Sequence, residues 1–272
     1  MKRIPGIVLI LIVLAAFTPL GCFADEVTCN PNENLQIGDG SDNYKTYKLG
    51  NSCDNHISIN GKVSLDLNGY QLNSQGDITC LSGSCSLRIT DTSNGETGAL
   101  NAGTIKIDGS FEVSGGTVNA SGEYYGILAR DDIKISGGTV KATGGDHGIF
   151  ASGDISIESG GTVTEASGGQ NGISSGQGSI TITNGGTVEK ASGGQYGISA
   201  GGGINISGMV TEASGGQNGI KGGYITITNG GTVTKASGTN GSGIYADTDI
   251  SIESGGTVTE ASDGKNGIYA TG

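Results

Sequence analysis

The side chains best equipped for chemistry in this chain are acids and aromatics placed where a regular repeat is interrupted. In "ARDDIKI" (129–135) Arg130 stands beside Asp131 and Asp132, and Asp154 follows in the next repeat. Carboxylates from adjacent repeats are the hard oxygen donors that calcium takes, provided several converge. Asp131, Asp132 and Asp154 are therefore the candidate calcium ligands, with Asp146 near them and Asp247 and Asp249 repeating the theme. Solvated turn acids are the plainer reading of the same residues. "GGDHGIFA" (144–151) adds Asp146, His147 and Phe150, and Tyr196, Tyr245 and Tyr269 follow in later repeats. Outward aromatics beside polar groups can hold a sugar ring. These six residues are the candidate carbohydrate-binding set.

Catalysis finds less support. Lyase or hydrolase chemistry on a polysaccharide needs paired carboxylates as acid and base, or a metal site with a basic residue that abstracts a proton. Arg88 and Arg130 are the only arginines after Arg3, His147 has His56 as its single companion, and the hydrolase word "GHG" stands here as "DHG". No catalytic residue is assigned, and an enzyme is not expected.

Placing those side chains requires a scaffold, and the repeat describes one. Aligned on "GGTV", the chain gives Thr117, Thr139, Thr162, Thr187, Met209, Thr232 and Thr257, spaced 22, 23, 25, 22, 23 and 25 residues. A near-constant period of this size marks a solenoid. Each period holds an "I-x-I" piece (Ile155, Ile157), a "V-x-x-A" piece (Val163, Ala166) and a "G-I" piece (Ile173), separated by glycine turns. Alternation such as Ile180-Thr181-Ile182-Thr183 turns one side chain in and the next out. Strands so short cannot pair within one turn, so each pairs with its copy about 4.8 Å above. The expected fold is all-β: a right-handed parallel β-helix with three short strands per 22–25-residue rung and three sheets, the hand following from the crossover rule. "VSLDLNGYQL" (63–72), "CSLRITD" (85–91) and "TIKIDGSFEVSGG" (104–116) read as earlier, less regular rungs. Roughly nine rungs are expected, on the order of 40–45 Å.

Two polar columns test this stacking. The residue before the repeat alanine runs Lys141, Glu165, Lys190, Glu212, Lys235, Glu260, so that opposite charges fall on neighbouring rungs. Like charges at that spacing would repel by roughly 1 kcal/mol in water, so alternation selects one register. Copying of a two-rung unit explains the same pattern. The residue two before the "G-I" isoleucine runs Tyr125, His147, Asn171, Tyr196, Asn218, Ser242, Asn266, where Asn can bond along the ladder.

The chain's start and its cysteines bear on compartment. Lys2 and Arg3 precede an apolar run from Ile7 to Phe17, the form of a secretory signal, with cleavage expected after Ala24 and "PLGC" (lipidation at Cys22) as the alternative. No second apolar segment follows, so no transmembrane segment is expected. Cys29, Cys53, Cys80 and Cys85 then remain, an even set suited to an oxidising compartment. Three pairings are open; Cys29–Cys53 and Cys80–Cys85 are preferred for their closeness in sequence. The organisation expected is a signal peptide over 1–24, an N-terminal cap over 25–61, and a β-helix over 62–272. Its C-terminal edge is expected to be uncapped, available to further rungs or to end-to-end self-association. Without Lys2 and Arg3, 12 basic residues face 26 acidic ones, a charge of −14 that makes nucleic acid a poor partner.

The words "DIKISGGTVKATGGDHGIFASGDISI" and "GGTVTEASGGQNGI" resemble a family of secreted bacterial β-helix proteins described as carbohydrate-binding domain-containing. "VSLDLNGYQLNS" and "LRITDTSNG" resemble the opening rungs of adhesin-like and pectate-lyase-like proteins. The resemblance covers residues 104–272 and implies a pectate-lyase-like fold, no lyase chemistry, and binding of an acidic polysaccharide or cell-surface glycan with calcium. The family's acidic turn matches once, at Asp146; Gln170, Gln195, Gln217 and Lys265 stand there in other repeats. A secreted, non-enzymatic binder of polysaccharide is the leading expectation, with an adhesin-like scaffold second and a lyase or hydrolase third.

Overall fold

In a computed structural model the described residues are 24–30, 33–80 and 85–272, with the side chain of Asp263 excluded. The expected leader and Cys22 therefore lie outside the described residues. Within them the chain is an all-β parallel solenoid of strands three to twelve residues long, consistent with the right-handed crossover. One turn shows how residues become structure. Ile155–Ile157, Thr162–Gly168 and Asn171–Ser175 each pair in parallel with the same words one turn later. Ile155 lies against Ile180, Val163 against Val188, Ala166 against Ala191 and Ile173 against Ile198. Val163, Ala166 and Ile173 have no exposed surface. Burying an isoleucine or valine contributes about 1.5–3 kcal/mol, so each added turn extends one continuous core.

Three ladders of strands run the length of the coil. Among the described residues they form two sheets rather than three, one of 19 strands and one of 11. The third ladder is the separate sheet. The first and second fuse because Phe111–Gly122 and Ile133–Gly144 run unbroken round the corner between them, with a register irregularity at Ser114. In the turn that follows, "ISIESGGTV" has one residue more than "IKISGGTV". That residue opens a true turn, in which the Gly161 nitrogen donates to the Glu158 oxygen at 2.9 Å, and the strand divides.

Residues 25–61, expected as a cap, carry strands of the coil themselves. Asp25–Val27 pairs with Lys45–Leu49, and Leu35–Ile37 pairs with Ile57–Ile59. Eleven strands stack in the third ladder, more than the nine rungs expected, because this segment adds its own. The core changes along the axis. Leu49, Leu65, Leu72, Leu100 and Phe111 fill the early turns, and the regular turns use Ile, Val and Ala. Among the described residues no helix is long and apolar enough to cross a membrane.

Candidate functional site

The third ladder carries most of the predicted sugar-binding residues on its outer surface. Gly148 and its equivalents turn inward, which throws the residue before them outward. A Cβ on Gly148 would lie 2.5 Å from the Ser167 nitrogen and 2.8 Å from the Ala142 oxygen. Two outward columns result. One stacks Tyr125, His147, Asn171, Tyr196 and Asn218; the other stacks Leu128, Phe150, Ser174, Ser199, Lys221, Tyr245 and Tyr269. The corner beside the first column supplies Asp146, Gln170 and Gln217. Together they make a stripe parallel to the coil axis, in which the rings, Ser199, Lys221 and the corner glutamines reach solvent while His147, Asn171, Ser174 and Asn218 are buried.

The rings gather in two groups. Tyr125 and His147 stack at 5.5 Å between centroids and 13° between planes, and Phe150 closes on both at 5.7 and 5.1 Å. Farther along, Tyr245 and Tyr269 stack at 5.9 Å, so each covers a face of the other. Tyr196 stands between these groups. Its hydroxyl donates to Gln217 Oε1 at 2.9 Å, and Lys221 Nζ lies 5.7 Å from its ring centre. Lys221 is also 3.7 Å from Asp247 Oδ2. Asp146 Oδ1 accepts from Gln170 Nε2 at 3.1 Å.

His147 is only 9% exposed, and burial pushes its imidazole below the ordinary pKa of 6.5, with Asp146 opposing in part. Its buried Nδ1 has no hydrogen-bond partner, nor has Oδ1 of Asn171 in the next turn. Bonding along the Asn column is found at Asn218, whose Oδ1 accepts from the Ser242 nitrogen at 2.7 Å. "SGTNGSGI" is one residue longer there than "SGGQNGI", so Ser242 lies off the usual turn and takes a side-chain acceptor. At Asn171 the following turn is regular and Tyr196 N donates to the Gln170 oxygen, leaving that amide oxygen free.

Two of the candidate calcium residues, Asp132 and Asp154, also bond to the backbone of the next turn. Asp131, Asp132 and Asp154 line one shallow recess with Arg130, Ser152 and Gln177. Asp132 Oδ1 accepts from the Asp154 nitrogen at 2.8 Å, and Asp154 Oδ1 accepts from the Ser179 nitrogen at 2.7 Å. Ser179 continues the series with its hydroxyl on the Gly203 nitrogen at 3.2 Å. Each of these residues immediately precedes an "I-x-I" strand and closes the corresponding corner of the next turn. Arg130 turns away from the neighbouring acids to Asp108, at 3.1 Å. Among the described residues no group of three or more His, Cys, Asp or Glu is arranged to hold a metal ion. The two preferred disulfides are formed: Cys29–Cys53 with Cα atoms 5.4 Å apart and Cys80–Cys85 at 5.8 Å. Both fit an extracellular setting.

The fold is that of a parallel β-helix built from repeats. Residues 133–152 match the family described as Beta helix repeat, a stretch that contains Asp146, His147 and Phe150. No curated protein and no solved structure matches the chain.

Proposed function

We propose that the protein is a secreted, non-enzymatic β-helix that binds polysaccharide along the outer surface of its third ladder. The observation that carries this reading is the stripe itself, in which the rings of Phe150, Tyr196, Tyr245 and Tyr269 run along the axis beside the exposed corner amides of Gln170, Gln195 and Gln217. Rings supply apolar contact, amides supply paired donors and acceptors, and a linear array suits a linear polymer. Calorimetric titration of the folded protein with soluble polysaccharides tests it, polygalacturonate with calcium or chelator among them. Binding that falls at least about tenfold in Tyr196→Ala/Tyr245→Ala supports the reading, a loss matching roughly 1.4 kcal/mol. Absence of heat with every polymer would overturn it in favour of an adhesin-like scaffold. That second reading is favoured by the number of surface polar residues committed to the coil, such as the amides linking Asp54, Asn73, Asn101 and Asn119.

A further inference from the structure

The stripe is poor in charge on a chain whose net charge is strongly negative. Its middle strands read "NGISS", "YGISA", "NGIKG" and "SGIYA", and Lys221 is the one residue among them charged at neutral pH. Lys221 is not a free cation: Asp247 lies 3.7 Å from it and the Tyr196 ring 5.7 Å. At one end Asp146 is already held by Gln170. The chain as a whole carries a formal charge of −12. A polyanion approaching this surface meets long-range repulsion, and the lysines in or beside the stripe, Lys106, Lys221 and Lys265, are two or more turns apart or already paired, too few to offset it.

The groups that do face outward suit a different ligand. Gln170, Gln195 and Gln217 are exposed on successive turns at the corner of the stripe. An amide offers both a donor and an acceptor, as a sugar hydroxyl does, whereas a carboxylate only accepts. Turn-to-turn spacing of about 4.8 Å repeats this pair at a regular interval along the coil. We infer that the stripe takes an uncharged glycan laid parallel to the axis and discriminates against acidic ones. The inference rests on the reading of the stripe as a polysaccharide surface, and it departs from the acidic ligand implied by family resemblance.

Affinity electrophoresis tests it with gels containing a neutral polymer (mixed-linkage β-glucan, xyloglucan or mannan) or an acidic one (polygalacturonate or alginate). Each gel is run in low and high sodium chloride, and with calcium or chelator. The expected result is retardation by at least one neutral polymer and by neither acidic one, with no dependence on salt. Gln195→Ala/Gln217→Ala should weaken it about tenfold, whereas Lys190→Ala, on the second ladder and in register with Glu212, should leave it within about twofold. Retardation by an acidic polymer that salt weakens and Lys221→Ala abolishes overturns the inference and leaves polysaccharide binding standing. Retardation by both classes also overturns it. Retardation by no polymer removes the underlying reading as well.

Discussion

His147 shows what a single substitution in a repeat does to stability. Its column holds Asn at 171 and 218 and Tyr at 125 and 196, all neutral at pH 7. An imidazole in that place is buried against Tyr125, Phe150 and Asn171, with Asp146 the one adjacent acid. Because its folded pKa lies below 6.5, the unfolded chain takes up a proton first as pH falls. The stability this neutral side chain contributes is thus complete above 6.5 and is lost as pH drops below it. His147→Asn should flatten that dependence: thermal melts between about pH 7 and pH 5 should converge with those of the wild type at the acid end. Equal slopes for both proteins would show that the imidazole is not the titrating group. His147 and its neighbours were legible in the sequence because they break a pattern. The hydrogen bonds that Asp132 and Asp154 accept were not legible, since residue type and spacing do not reveal which backbone N–H lacks a partner. Asp91 makes the point again. Burial raises its pKa, but hydrogen bonds from Ser93, Gly98 and Gly69 outweigh that and lower it overall, so its charge is used within the turn.

At the scale of strands and turns the repeat was readable almost letter by letter. Core positions, strand pairing and the alternating column follow from it. Lys141 faces Glu165 at 2.8 Å, and Lys190, Glu212, Lys235 and Glu260 are register partners in turn. The same column continues upstream as Asn119, Asn101, Asn73 and Asp54, each amide donating to the next residue and the last to the Asp54 carboxylate, a continuity hidden by looser spacing in the early turns. The fusion of two ladders was not legible either, since one residue more or less in a glycine turn decides it. Glycine within strands has a harder constraint. A Cβ at Gly172 would fall 2.6 Å from the Ser192 nitrogen and 2.7 Å from the oxygens of Ala166 and Gly197, backbone atoms in its own turn and the next. Gly172→Ala should therefore destabilise by about 1–3 kcal/mol, as overpacking does. Gly176→Ala is the control. Its nearest neighbour is the tip of Phe150 at 3.3 Å, and the change should stay within about 0.5 kcal/mol. Denaturant midpoints of the two variants compare them directly, and equal midpoints would mean that the turn can widen at no cost.

Across the whole molecule, a coil turns a weak contact into a repeated one. Stripe residues from Tyr125 to Tyr269 span six turn-to-turn steps. At about 4.8 Å per step the surface is about 29 Å long. Each turn offers one or two polar or ring contacts, none enclosed, so a ligand that touches one turn gains little over its lost translational freedom. A ligand that spans several turns meets that entropic cost largely once and adds contacts with each step, as linked binding modules do. Affinity for oligosaccharides of the recognised polymer should therefore rise steeply with chain length and level off once the ligand reaches about 29 Å. Removing Tyr245 and Tyr269 should shorten the effective surface, moving the plateau to shorter ligands while leaving affinity for the shortest ones unchanged at the Tyr125, His147 and Phe150 end. Calorimetry over an oligosaccharide series reads both effects. Affinity independent of length would assign binding to one local pocket and remove the reason for the stripe to follow the coil.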